Sequence, residues 1–552
     1  MKIALVSMNV KAGKCQSNFE FMKIQIQKAI DLDLDMIVFP QNAISGYLLG
    51  DVWLKDEWCK EVDSYNQKII DLSNEIAIVW GNIKYRHKML FNCAFFAYQG
   101  HPQMRVKTNC NSGISQDERY FKDNPINSII EYKDMIFALN FGEEVQIADY
   151  NINIDAKPYF YEESHKICGN MIYVNSLGVQ NVGKNVMIYD GLTLVNEGET
   201  IKFCGMPFKA EMNIVDLKQG DETKVKNPSL LDALTFAIQN FDEEIFQGEL
   251  PWIIGLSGGL DSSVNAALLT HALGNKRVIA YNMATKYNSE QTKNNAASLA
   301  STLKISYHEG SIEKLVMSSC EVLHDYGYDE NDWNPLVKEN IQARIRGHLL
   351  SSFASIEGGI VVNNGNKVEV ALGYCTLYGD AIGAICPIGD LSKVQLFALS
   401  EELNQAFNCE VIPSDLLPQI NGEELMWETP PSAELKSEQR DPMKWFYHDE
   451  IIEHLRYDMS LEEYMELYLI DKMASKPIGK WIKYYGLDNP SAFLKDMDWL
   501  KTVMKRNRFK RIQLPPLLVV SKNPYGNAYI ESQSDCDETN YEYLHKKIEE
   551  MN

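Results

Sequence analysis

Twelve residues near the middle of the chain carry the densest chemistry: Trp252-Ile253-Ile254-Gly255-Leu256-Ser257-Gly258-Gly259-Leu260-Asp261-Ser262-Ser263. The apolar run reads as a buried strand, the small residues as a tight turn, and Asp261 as the start of a helix. Glycines let the backbone close around a ligand. The N–H groups of the turn and of the helix start then point at an anion. Ser257, Ser262 and Ser263 add hydroxyl donors, and Asp261 adds a carboxylate suited to a magnesium ion. The chemistry is that of a pyrophosphate grip, without the Lys-Ser/Thr ending of the ordinary P-loop. A ligand-free Gly/Ser turn shares this composition, so the rest of the chain must decide. Residues 178–185, Gly-Val-Gln-Asn-Val-Gly-Lys-Asn, come close to the ordinary P-loop. They end in Asn185 where Ser or Thr would meet magnesium, and they run into the strand-like residues 186–189, so that stretch is rejected.

Such a turn needs a strand ending in it and a helix leaving it, and the pattern around it supplies both. Residues 230–246 look helical, 252–256 form a strand, 261–273 a helix, 278–282 a strand and 291–303 a helix. Alternation of this kind implies a doubly wound parallel sheet with ligands at the carboxyl ends of its strands. Upstream, residues 1–217 form a second α/β pattern, with strands near 36–39, 76–80, 91–98, 135–139 and 171–174 and helices near 23–32 and 64–75. The polar residues 218–229 read as a linker, which places the second domain at 230–552. A chain of 552 residues has room for two cores. Its net charge of −23 argues against non-specific nucleic-acid binding and against anionic membranes. Its 11 cysteines include no C-x-x-C pair, which fits a reducing cytoplasm and neither zinc nor a disulfide framework. The N-terminal apolar run reads as a first strand rather than a signal peptide.

Downstream, several segments follow in order. Residues 339–347 read as a helix with two arginines, Arg344 and Arg346. An Asn364-Gly365-Asn366-Lys367-Val368-Glu369 loop follows an apolar strand. Gly373-Tyr374-Cys375-Thr376-Leu377-Tyr378-Gly379-Asp380, Asp390-Leu391-Ser392-Lys393 and Pro430-Pro431-Ser432-Ala433-Glu434-Leu435 come next. The Ser-Gly-Gly-Leu-Asp-Ser loop resembles that of the ATP pyrophosphatases, and the whole ordered set resembles the two-domain form of NAD synthetase. The resemblance spans roughly residues 1–520.

The resemblance implies an adenine-nucleotide α-hydrolase-like sheet. Ser257, Gly258, Gly259, Asp261, Ser262, Ser263 and Arg344 would hold ATP. Asp261 and Glu369 would coordinate magnesium, and Asp380 would face the nicotinate end of the dinucleotide substrate. Lys393 would bind the departing pyrophosphate, and Asn364, Ser432 and Lys510 would contact substrate. Taken singly, Lys393 would pass for an exposed helix lysine and Asp380 for a helix cap; their joint order favours the functional reading. The family loop Thr-Gly-Asn-Lys-Ser-Glu becomes Asn364 to Glu369 with Val368 in place of serine, and Met-Pro-Ser becomes Met283-Ala284-Thr285. The loss at Val368 is expected to alter substrate contacts. The basic run 505–511 is expected to bind substrate phosphates rather than nucleic acid, given the acidic background; a solvated helix end has the same composition.

Residues 1–217 resemble the nitrilase-like amidases, which implies an α-β-β-α sandwich. Ile37-Val38-Phe39-Pro40-Gln41, Ser45-Gly46-Tyr47, residues 117–121, residues 172–175 and Tyr189-Asp190-Gly191 carry that resemblance. That family hydrolyses amides with a Glu base, a Lys and a Cys nucleophile. Here the base position holds Gln41, whose amide takes no proton at neutral pH. Lys107 is retained, and the nucleophile position falls on Gly142. Neither Cys110 nor Cys168 sits in a strand-end elbow. The expectation is an ATP- and magnesium-dependent ligase that amidates deamido-NAD with ammonia, free or from a separate enzyme. It is also expected to be cytoplasmic and a homo-oligomer of at least two copies. Two other readings stay open here: an amide ligase acting on a different carboxylate, and a non-catalytic regulatory pseudoenzyme.

Overall fold

The computed structural model describes residues 1–108, 117–124, 128–163, 168–220, 222–225, 227–334, 336–421, 424–428, 435, 441–455, 458–526, 531–534 and 536–551. The chain divides into two compact units, Met1–Glu244 and Ile245–Asn552. Helix Leu230–Phe246 therefore falls mostly in the first unit, whereas the polar linker 218–229 had placed it at the head of the second. Its side chains explain the difference. Phe236 stacks on Phe208 at 5.2 Å, and Asn240 accepts the Val179 N–H at 2.9 Å.

The first unit holds two six-stranded sheets. One runs Glu211–Asp216, Lys2–Ser7, Met36–Val38, Ala77–Arg86, Met89–Tyr98, His101–Val106; the other runs Thr200–Cys204, Thr193–Glu197, Met171–Asn175, Tyr150–Asp155, Met135–Phe141, Ile129–Tyr132. Alternation along each strand sends one set of side chains into a shared core. Ile3, Val38, Val79 and Phe96 from the first sheet meet Phe137, Ile152, Ile172 and Val195 from the second. Helices Cys15–Asp31 and Asp56–Ile70 pack on the first sheet. Between Ile70 and Leu230 the only helix among the described residues is the short Asp117–Tyr120. The rejected P-loop-like stretch is an antiparallel hairpin, Leu177–Val182 with Asn185–Asp190.

The second unit is built on a four-stranded parallel sheet in the order Ser306–Ser311, Val278–Ala284, Trp252–Gly255, Ile360–Val361. By chain order this is 3-2-1-4, so the winding reverses between Trp252–Gly255 and Ile360–Val361. Loops leaving those two strands diverge at the reversal and leave a crevice for a ligand. Helix Leu260–Leu273 is covered on most sides, and eleven of its fourteen residues are buried, as expected of a helix inside the core. Among the described residues no helix is long and apolar enough to cross a membrane.

Candidate active site

The loop after Trp252–Gly255 is closed by its own serines. The Ser257 N–H donates to Ser262 Oγ at 3.3 Å, the two hydroxyl oxygens lie 3.0 Å apart, and Ser262 Oγ donates to the Gly259 carbonyl at 3.1 Å. Gly259 caps helix Leu260–Leu273 without a side-chain acceptor, which leaves the first helical N–H groups directed at the crevice. Gly258 has a different task. Its φ is +88°, and a Cβ there would lie 1.8 Å from the Thr292 carbonyl oxygen. The missing side chain lets helix Glu290–Leu303 pack against the loop.

A cavity of about 340 Å³ opens at the strand reversal. Ser257, Gly259, Asp261, Ser262 and Lys393 line it from one side, and Asn364, Glu369 and Asp380 from the other. The second loop is tied to the first by amides: Asn364 Nδ2 donates to the Gly255 carbonyl at 2.8 Å, and Asn265 Nδ2 donates to Asn364 Oδ1 at 2.9 Å. Lys393 is the first residue of helix Lys393–Phe407, which Ser392 and Gln395 cap reciprocally. Its ammonium donates to both Asp261 oxygens, at 2.8 and 2.7 Å, and is 1% exposed. Burial opposes its charge, while Asp261 and then Glu369 favour it strongly enough to raise its pKa above the usual lysine value. Glu369 moves the other way: burial first, then the Asp261 charge, pushes its carboxyl well above the usual range. Asp380 accepts the Thr376 N–H at 2.6 Å, which closes the turn that presents it.

Not every residue singled out from the sequence meets this cavity. Ser263 is buried within its helix and does not line it. Arg344 is exposed, whereas Arg346 lines the cavity and donates to the Met283 carbonyl at 3.1 Å. Val368 is fully buried, so the change from serine lies in packing rather than in a substrate contact. Lys510 donates to the carbonyls of Gly373 and Cys375, at 3.2 and 2.6 Å, and so braces the segment leading to Asp380. Two more residues of the basic run are paired within the fold. Arg511 pairs with Glu531 through two bonds of 2.7 Å, and Lys505 lies 2.9 Å from Glu538. Ser432 lies outside the described residues.

Two contributors were missed. Asp441 lines the cavity near Glu369 and Lys393, and no local pattern marks it. Arg346 was legible, because Ala343, Arg346, Gly347 and Leu350 all line the cavity at i, i+3, i+4, i+7 spacing, which excludes Arg344 from that face.

In the first unit, the amidase-like positions also converge. Gln41 is 1% exposed, and among the described residues neither its amide nitrogen nor its amide oxygen has a hydrogen-bond partner. The Lys107 ammonium donates to Tyr47 Oη at 3.0 Å and to Asp117 at 3.2 Å. Gly142 has φ +58°, and a Cβ built on it would point to Asp155 Oδ2 at 3.6 Å. That oxygen accepts the Tyr173 hydroxyl at 2.9 Å. A carboxylate thus stands where a nucleophile at residue 142 would project. Cys168 is exposed, Cys93 lies on the opposite strand face from Asn92, which pairs with Lys107, and Cys110 lies outside the described residues.

A family model for NAD synthase matches residues 236–485. The NH(3)-dependent NAD(+) synthetase of Chlorobaculum tepidum is 31% identical, over 50% of this chain and 83% of that relative. The chain belongs to the NAD synthetase family. It is also 27% identical to the glutamine-dependent NAD(+) synthetase of Acinetobacter baylyi, over 80% of this chain and 84% of that one. Among solved structures, the glutamine-dependent NAD+ synthetase of Acinetobacter baumannii, in complex with ADP, superposes with a TM-score of 0.68 at 22% identity, covering 95% of this chain and 96% of its own. That of Cytophaga hutchinsonii gives 0.75 at 16% identity, covering 99% of both. At those identities the likeness is one of fold, the nitrilase-like unit included. The reaction of this NAD synthetase is the ATP-dependent amidation of deamido-NAD.

Proposed function

We propose that this NAD synthetase takes its nitrogen from ammonia and that its nitrilase-like unit no longer hydrolyses glutamine. The observation that carries the reading is the pair Gln41 and Gly142. The chemistry needs a carboxylate to accept a thiol proton and a thiolate to attack, and neither position supplies its group. Relatives that span most of the chain are named glutamine-dependent, which makes glutamine the donor that the test must set against ammonia.

In this reading, the N–H groups at the start of helix Leu260–Leu273 and the serine hydroxyls grip the ATP phosphates. Magnesium fits as the second holder of charge. Asp261 and Glu369 offer hard oxygen ligands, and among the described residues no group of three or more His, Cys, Asp or Glu would hold an ion without the nucleotide. When bound, it would neutralise phosphate charge as a Lewis acid. Asp380 faces the nicotinate end, where the substrate carboxylate attacks the α-phosphorus and pyrophosphate leaves. Lys393 stabilises the charge that develops on the leaving group, as a buried cation beside the crevice can. Ammonia then attacks the acyl carbon of the adenylate; with loss of a proton, AMP departs and NAD remains. Asn364 ties the two loops together, and Arg346 takes the ATP-side place that the sequence had assigned to Arg344. A homo-oligomer belongs to the same proposal. It is supported by helix Glu313–Asp325, which buries no residue of its own and exposes Leu315, Met317 and Val322.

The test is NAD formation from deamido-NAD, ATP and magnesium, with ammonium chloride in one reaction and glutamine in the other. Turnover with ammonium alone is the expected result. Equal turnover with glutamine overturns the nitrogen assignment, and turnover with neither overturns the substrate.

A further inference from the structure

Lys393 has further neighbours besides Asp261. The indole of Trp445, itself 5% exposed, lies under the ammonium with its ring centroid 4.7 Å from Nζ. Trp445 is fixed in turn, because its carbonyl accepts the Tyr485 hydroxyl at 3.1 Å. Four residues on, Asp449 is buried and accepts two backbone N–H bonds, from Lys393 at 2.6 Å and from Phe446 at 2.7 Å. One carboxylate therefore joins the N-terminus of helix Lys393–Phe407 to that of helix Tyr447–His454. Negative charge at two helix N-termini is the favourable sign. Phe446 has φ +68°, a conformation a phenylalanine adopts only when its surroundings impose it. Asp449 and the stack of the Phe446 ring on Trp481, at 4.4 Å, impose it here.

We propose that Trp445 and Asp449 are positioning residues that hold the Lys393 ammonium in register for the departing pyrophosphate, the ring fixing the cation and the carboxylate fixing the backbone that carries it. Neither is among the described residues that line the cavity, so both act through Lys393. An aromatic face attracts a desolvated ammonium and offers it no competing acceptor, so the charge stays fixed beside Asp261 at the edge of the crevice. The inference rests on the role given to Lys393 above.

The test uses the full chain with saturating ammonium and compares W445F, W445L, D449N and K393M. W445L removes the ring face, and D449N puts an amide where a second acceptor oxygen is needed. Both should lower kcat roughly ten-fold while the KM for ATP stays within about two-fold. Inhibition by added pyrophosphate should weaken in parallel. W445F keeps an aromatic face and should recover most of the rate, which a purely structural role would not predict from ring chemistry. Should D449N fail to fold, the W445F and W445L pair decides alone. Wild-type kcat in W445L, or equal losses in W445F and W445L, overturns the positioning role. Wild-type kcat in K393M overturns the assignment of Lys393 itself, a result separate from the first.

Discussion

A Cβ on Gly258 would sit 1.8 Å from the Thr292 carbonyl, at a φ of +88° that side chains rarely adopt. Overpacking and backbone strain act together there, and the atoms met, from Thr292 and Ala296, are all backbone. G258A should therefore destabilise the second unit by roughly 3 kcal/mol, read from its urea midpoint. A midpoint within experimental error of wild type would show that helix Glu290–Leu303 can back away. Gly142 poses the opposite question, since a side chain has room there. G142C alone should release no glutamate from glutamine. Gln41 cannot take the thiol proton, and the Asp155 carboxylate would hold that thiol in its neutral form. Measurable glutamate from the single variant would mean that another group serves as base. Gln41 and Gly142 were both legible from the sequence, because each fills a known place in a short motif. Asp155 was not, because its closeness to Gly142 arises from the parallel pairing of Met135–Phe141 with Tyr150–Asp155.

At the scale of elements, the site is held by helix starts. Glu369 and Lys393 both ride on short-range caps, Asn366 for helix Lys367–Leu372 and Ser392 for helix Lys393–Phe407. Lys367 ties these two starts together. It is fully buried, donates to Glu453 at 2.8 Å and to Ser521 at 2.8 Å, and lies 3.4 Å from Asp390. Helix Tyr447–His454, which supplies Glu453 and Asp449, ends in His454, whose ring lies 3.5 Å from Glu450 and 3.2 Å from Asp458. The hydrogen bond to Glu450 leads the causes that push its pKa up to about 9, against burial. A histidine whose folded pKa is raised stabilises fully below its unfolded value near 6.5 and loses the contribution as pH rises through the folded value. The H454Q penalty should thus be present at pH 6 and absent at pH 10. It should stay under about 1 kcal/mol, since the ring is partly exposed. A penalty independent of pH would assign the residue a packing role instead.

At the scale of the whole molecule, every described residue lining the 340 Å³ cavity belongs to the unit Ile245–Asn552. ATP with magnesium should accordingly slow amide exchange most in residues 255–262, 281–292, 343–350 and 362–382, leaving the facing sheets of the first unit nearly unchanged. Comparable protection in Met135–Phe141 and Tyr150–Asp155 would refute that localisation. Taken by itself, the sequence determined the strand-turn-helix around Ser257, the order of the synthetase segments, both α/β patterns, and that Gln41 and Gly142 stand where the amidase motif has Glu and Cys. Each of these is written in residue type and local spacing, which survive without knowledge of the fold. Only the tertiary structure decided that Gly258 serves a helix contact, that Ser263 and Val368 face the interior, and that Lys510 braces carbonyls. It also turned Arg346 to the crevice, set Asp155 opposite Gly142 and placed Trp445 under Lys393. Those outcomes depend on which surfaces meet across long stretches of chain, and a pattern of neighbouring residues carries no record of partners that packing brings together.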